Sequence, residues 1–424
     1  MSSLGTGSFA FALALIGLVA AQAAPRYDLL LKGGRVIDPK NGVNRVADVA
    51  IAGGKIARVA PGIPAADAAK TIDVSGLYVT PGLVDIHAHV ATSYDWKLTG
   101  DDLLSVQADA FSFRSGVTTM VDAGSTGARD FEAFNEQVIR RSQTRVLALL
   151  NISRRGMGPG REDDPADLEA ETAAKVAQAH PGVIVGFKSA HYAGPGWVSI
   201  DRAVAAGRLA KVPVMVDFGY LGEERTLGEL LLKRLRPGDI YTHCYSGHRG
   251  EMGPDGKLSQ IMRDARKRGI IFDAGHGGGS FYWYVATAAA EEGFFPDSIS
   301  TDVHTGSMNA GMKDMTNVMS KFLVLGEPLE AVIRASTWQP AREIQRPDLG
   351  NLDAGAEADV AVLRIDRGPH GFLDSAGARF EGSQLLVAEI TLRKGKVVWD
   401  LNGRAGSDWK SFPYDKGLWI KPKK

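Results

Sequence analysis

The chain has 424 residues, with 49 Lys+Arg against 49 Asp+Glu. This balance excludes a strong global field that would draw it to nucleic acid or an anionic membrane. The length exceeds one small domain and suits a large barrel plus a second unit, and the single cysteine, Cys244, excludes an internal disulfide framework.

In chain order, the first segment stands apart. Residues 9–21 form an almost unbroken apolar run, followed by Ala21-Gln22-Ala23. An h-region too short to span a bilayer, ending in an A-x-A site, predicts a cleaved signal peptide over residues 1–24, although its n-region has no Lys or Arg. The mature protein is then expected to be exported, periplasmic or secreted, with no membrane attachment.

Residues 25–80 read as short strands (28–32, 34–38, 47–51 and 55–59) punctuated by Gly33-Gly34 and Gly53-Gly54. A similar β piece returns over 350–402, with strands at 358–363, 388–393 and 396–399. The two flanking pieces suggest one small composite β-sandwich built from both ends of the chain, or else two unrelated edge sheets. Between them, over 81–349, eight apolar runs fall at 83–90, 117–124, 145–153, 183–190, 212–219, 239–246, 270–276 and 298–304. Helical patterns separate several of them, at 128–143, 165–180, 226–236 and 257–267. Thr226 and Glu229 have the spacing of a capping box. This alternation predicts an α/β architecture, a parallel (β/α)8 TIM-like barrel rather than an open doubly wound sheet. No dinucleotide or phosphate-loop fingerprint is present, and the run Gly275-His276-Gly277-Gly278-Gly279 has the wrong spacing for one. The tail, 403–424, is polar and aromatic and suggests no function.

Unusual polar residues fall at the ends of the predicted strands, where barrel chemistry gathers. His87 and His89 lie two apart on the first strand and so point to one face. Lys188 sits among apolar residues on the fourth, Asp217 follows the fifth, and His243 lies on the sixth. His276 ends the seventh, and Asp302 and His304 end the eighth. Each alone has a plainer use: a snorkelling lysine, a turn aspartate, a hydrogen-bonded core histidine or a loop histidine. Together they place too many ionisable groups at one end of one barrel to be buried without pairing or a metal.

The segment P-G-L-V-D-I-H-A-H-V, the strand lysine, T-H-C and S-T-D-V-H resemble the amidohydrolase superfamily of metal-dependent hydrolases. The opening Y-D-L-L-L-K-G-G-R-V-I-D-P and closing A-D-V-A-V-L resemble its composite β-sandwich. Three further stretches, G-D-I-Y-T-H-C-Y-S-G, G-H-G-G-G-S-F and S-T-D-V-H-T-G-S-M-N, resemble its amidohydrolase/deacetylase branch, relatives of dihydroorotase. The resemblance implies that His87 and His89 bind a buried metal with Asp302, and that carboxylated Lys188 bridges it to a second metal bound by His243. The implied cofactor is Zn2+, two per chain, with other divalent metals open. One departure stands out: M-V-D-F-G carries Asp217 where relatives usually have histidine. Asp217 ligates the second metal and makes it a weaker Lewis acid, or it turns away and leaves that metal weak or absent. In the latter case His276 could supply a ligand, although it looks more like a substrate-side group.

The resemblance implies metal-assisted hydrolysis of an amide or ester carbonyl by metal-bound hydroxide, with Asp302 as catalytic general base. Substrate contacts are expected from His191, Tyr192 and Trp197 after strand four and from Tyr220 after strand five. Further contacts are expected from His276, Gly278, Phe281 and Tyr282 in and after the glycine turn, and from His304. The turn Gly277-Gly278-Gly279-Ser280 is expected to lead into a helix whose N–H groups could hold a substrate carboxylate. The favoured partner is a small N-acyl amino acid, acyl ester or related amide. A cyclic amide of the dihydroorotase or hydantoinase type is the second reading, and a non-catalytic binding protein on the same fold is the third. No nucleic acid partner is expected, and homo-oligomerisation is left open.

Overall fold

A computed structural model describes residues 25–92, 104–158, 160–217 and 224–414. The segment read as a signal peptide, and Tyr220, lie outside these residues. Among the described residues, no helix is long and apolar enough to cross a membrane.

Five strands precede the central region: β1 (Tyr27–Asp38), β2 (Val43–Ala52), β3 (Lys55–Ala60), β4 (Ala68–Asp73) and β5 (Tyr78–Pro81). Seven short strands then alternate with helices: β6 (Leu83–Ala88), β7 (Val117–Gly127), β8 (Arg145–Asn151), β9 (Ile184–Ser189), β10 (Val214–Val216), β11 (Ile240–Tyr241) and β12 (Ile271–Phe272). Among the described residues three further strands follow: β13 (Val360–Leu373), β14 (Arg379–Arg393) and β15 (Lys396–Asp400).

The outer strands of both ends join one eight-stranded sheet in the order β15-β14-β13-β5-β1-β2-β3, with β4 paired to β1. The junction between the two ends is β5 against β13, antiparallel, with Val79 opposite Val362. Leu29, Leu31, Val36, Val49, Ile51, Val360, Val362 and Ile390 bury one core on this sheet. The strands are thus a single hydrogen-bonded sheet shared by both ends of the chain.

The middle strands form a seven-stranded curled parallel sheet, ordered β6 through β12. All residues of β6, β7 and β9 are buried, as expected where helices cover one face of a parallel sheet and packed side chains the other. The predicted eighth strand, 298–304, is not a regular strand. It makes isolated parallel bridges, Ser298 to Asp273 on the β12 side and Val303 to Ala88 on β6. Asp302 interrupts it with a left-handed φ of 50°, a conformation no extended strand accommodates. Two predicted helices are also broken: 128–143 and 226–236 each begin as a short α-turn and continue as a π-turn. Thr226 nevertheless caps the second, its hydroxyl accepting from the Glu229 N–H at 3.2 Å.

Candidate metal centre and active site

The ends of the parallel strands surround a cavity of about 440 Å3. His87, His89, His191, Asp217, His243, Asp302, His304 and Gly278 line it, and so do Leu104, Met157, Arg249, Gly279 and Ser280.

Period-two spacing on β6 brings His87 and, just past its end, His89 to this cavity. His87 Nδ1 lies 2.9 Å from Thr242 Oγ1. The Thr242 hydroxyl donates to Asp273 at 2.7 Å, so His87 Nδ1 is the donor to Thr242 and Nε2 presents its lone pair inward. That nitrogen is 3.0 Å from Lys188 Nζ and 3.5 Å from Asp302 Oδ1. His89 Nε2 is 3.0 Å from the same Asp302 oxygen, and its Nδ1 is 2.9 Å from Ser125 Oγ. Ligand atoms of His87, His89 and Asp302 lie within 4.8 Å of one another, and all three residues are buried. Burial, with Lys188 beside it, lowers the His87 pKa to about 3 and keeps the ring neutral. Burial alone would raise Asp302, but the imidazoles of His87, His89 and His243 hold it far below the usual carboxylate range. The inward lone pair of His87, the His89 ring and the Asp302 carboxylate converge as a donor set that fits a divalent metal.

Beside this cluster lies a second donor set. Lys188 is fully buried on β9, and burial lowers its pKa. His243 Nδ1 donates to the Gly275 carbonyl, so its Nε2 faces Asp217 Oδ2 at 3.3 Å. His243 also holds a left-handed φ of 60°, a strained backbone that turns its ring toward His87, 5.0 Å away between centroids. Asp217 has further partners: Arg249 Nη2 donates to Oδ1 at 3.0 Å, and His191 Nε2 lies 3.5 Å from Oδ2. Burial opposes ionisation, yet His243, His191 and Arg249 hold its pKa well below normal. On its other side His191 Nδ1 meets Glu162 at 3.2 Å, and the two carboxylates, against burial, raise its pKa to about 10. Asn151 secures Glu162 from β8 at 3.0 Å.

The remaining expected substrate residues divide. His304 faces Asp302 Oδ2 at 3.9 Å, and burial lowers its pKa. Tyr192 does not face the cavity; it is buried, and its hydroxyl donates to the Pro195 carbonyl. Trp197 is also buried and, with Tyr192 and Arg225, lines a separate small space. His276 is fully buried away from the cavity, with Nε2 2.5 Å from Lys321 Nζ and its ring stacked on Phe281. The lysine occupies the nitrogen that a metal or substrate would need. Phe281 is likewise core, and Tyr282 packs on His248. The glycine turn does line the cavity but does not open a helix. The helix Trp283–Glu291 starts later, and the Ser280 and Phe281 N–H groups are already held by Ser375.

Glu162, Arg249, Leu104 and Met157 were not singled out by the sequence. Glu162 sits in an acidic loop beside Asp163 and Asp164, and Arg249 in a Ser-Gly-His-Arg-Gly loop, where nothing local marks either one.

No protein-family model matches the chain. A deacetylase of Agrobacterium fabrum is 35% identical over 330 residues, covering 75% of this chain and 78% of the relative. A deacetylase of Enterococcus faecalis is 31% identical over 391 residues, covering 88% and 99%. Among solved structures, an adenine deaminase superposes with a TM-score of 0.80 at 29% identity, covering 88% of this chain and 100% of that one. A dihydroorotase superposes with a TM-score of 0.75, also at 29% identity, covering 88% and 99%. The chain belongs to the amidohydrolase/deacetylase family of metal-dependent hydrolases.

Proposed function

We propose that this enzyme hydrolyses the amide or ester carbonyl of a small N-acyl substrate, in the manner of a deacetylase. The observation that carries the reading is the convergence of His87, His89 and Asp302 within 4.8 Å inside an open cavity. In this reading these three residues hold one Zn2+. Lys188, once carboxylated, would help Asp217 and His243 to hold a second cation. The curled sheet with its 298–304 segment acts as the (β/α)8 barrel of the family, and residues 25–80 and 350–402 form the accompanying β unit. The apolar 9–21 run supports export.

The chemistry that a bound divalent cation would supply is a lowered pKa for a water and polarisation of the substrate carbonyl. The chain supplies the rest. Asp302, held anionic at neutral pH, accepts the proton of the attacking water and returns it to the departing nitrogen or oxygen. The buried partners of His87 and His243 fix each ring with its Nε2 inward before substrate arrives. Arg249 takes Asp217 Oδ1, leaving Oδ2 directed at His243. His191, held cationic and part-exposed at the cavity, favours a substrate with a negative group near the scissile bond.

The test is turnover by the zinc-loaded full chain on a panel of N-acetyl amino acids and acyl esters beside a panel of cyclic amides. Hydrolysis of the acyl panel supports the proposal. Selective ring opening of cyclic amides would transfer the enzyme to the dihydroorotase-like reading, and no turnover with metal bound would favour a binding protein.

A further inference from the structure

Gly278, Gly279 and Ser280 form one stretch of the cavity wall, yet no strand or helix carries them. What holds this stretch comes from the other end of the chain. Ser375 lies in the turn between β13 and β14, 95 residues beyond Ser280. Its Oγ accepts from both the Ser280 and Phe281 N–H groups, at 3.1 Å each. The Ser375 N–H returns to the Phe281 carbonyl at 2.9 Å. Next to it, Asp374 Oδ2 accepts from the Trp283 N–H at 3.2 Å, a carboxylate set at the positive end of the helix Trp283–Glu291. Asp374 is itself fixed by the Ala376 and Ala378 N–H groups on Oδ1. The Trp283 indole N–H donates to the Phe372 carbonyl at 3.2 Å.

Lys321 locks the assembly from beneath. It is fully buried, and its Nζ donates to the Leu373 carbonyl at 2.6 Å and the Gly311 carbonyl at 2.8 Å. The same Nζ lies against His276, whose ring stacks on Phe281 at 4.7 Å. Among the described residues no carboxylate forms a hydrogen bond or salt bridge with Lys321, so this buried amine is satisfied by the two carbonyls and His276 alone.

The glycines of the wall point the same way. Gly277 has to be glycine: its φ is 54°, and a Cβ there would strike Asp302. Gly278 and Gly279 have no positive φ, and a Cβ would meet nothing within 4 Å at 279 and nothing closer than 3.5 Å at 278. Neither strain nor packing requires glycine there. Bare backbone at these positions leaves the surface open for a ligand to lie on.

We propose that the β13–β14 tip is part of the active site, with Ser375 as a positioning residue that fixes the Gly278–Ser280 wall on which the substrate rests. The inference relies on reading this cavity as the substrate site.

The test compares wild type, Ser375→Ala and Ser375→Thr as full zinc-loaded chains. Two readouts are used: amide hydrogen exchange at Ser280 and Phe281, and kinetics on the N-acetyl amino acid panel. Ser375→Ala should speed exchange at both amides and raise KM about tenfold, with kcat within about threefold and cation content unchanged. Ser375→Thr, which keeps the hydroxyl, should restore both. Gly279→Val, which leaves the tip intact, should raise KM for bulky acyl groups more than for acetyl. Unchanged exchange in Ser375→Ala would overturn the clamp. Faster exchange with unchanged KM would overturn its role in substrate binding. Absence of turnover by wild type would instead sink the hydrolase reading, while the exchange result would still decide the clamp.

Discussion

Asp302 and Asp217 are both buried carboxylates at the ends of the same parallel sheet, but their surroundings differ. The ion-pair partners of Asp302 among the described residues are imidazoles: His87, His89 and, farther off, His304. Asp217 meets His191, His243 and a permanent guanidinium from Arg249. The Asp302 side therefore presents a negative charge and inward lone pairs that a cation must satisfy. The Asp217 side arrives with its charge already offset. Two carboxylates of similar burial thus have unequal demand for metal, and Arg249 and His191, which are not among the proposed ligands, set much of the difference.

The largest effect that would test this contrast is on chemistry. Asp302→Asn should lower kcat about 1000-fold while most of the bound cation stays. A rate near wild type would remove Asp302 from proton transfer. Asp217→Asn should weaken the second cation and also destabilise the fold, because Arg249 would lose its buried counter-charge. A urea titration should show a loss of about 3 kcal/mol, partly recovered when Arg249→Met is added. No loss would mean that the pair does not offset charge as described. Thr226→Ala, remote from both carboxylates, serves as a control, with an expected loss of about 1 kcal/mol from the missing helix cap and no change in cation content.

The smallest effect is the pH dependence of His191. Its folded pKa of about 10 lies above the unfolded value near 6.5, so the protonated ring stabilises the fold. That contribution is complete below about pH 6.5 and fades as pH rises through about 10. Its side chain is 45% exposed, so solvent weakens the effect. Thermal melts of His191→Gln should show a shallower decline over this window than wild type.

Much of this contrast could be read from the chain. Period-two spacing placed His87 and His89 on one face, and strand-end positions marked Lys188, Asp217, His243 and Asp302. Strand alternation indicated a parallel sheet with flanking β pieces. What was not legible depends on distant pairing. Arg249 and Glu162 become meaningful only when loops after different strands meet. Lys321 looks like an ordinary helical lysine until Gly311, Leu373 and His276 surround it. His276 and Tyr192 carry active-site chemistry by type but are turned into the core by packing. The 298–304 run has the composition of a strand, yet the turn at Asp302 that aims its carboxylate breaks the extended backbone.

The most direct test of the account is elemental analysis of cations per chain in protein purified from zinc-supplemented cells, wild type beside Lys188→Ala. The account predicts about two per chain in wild type, with the loss of both when Lys188, the proposed bridge, is removed. About one per chain, indifferent to Lys188→Ala, would contradict it, and the chemistry would then rest on His87, His89 and Asp302 with a single cation.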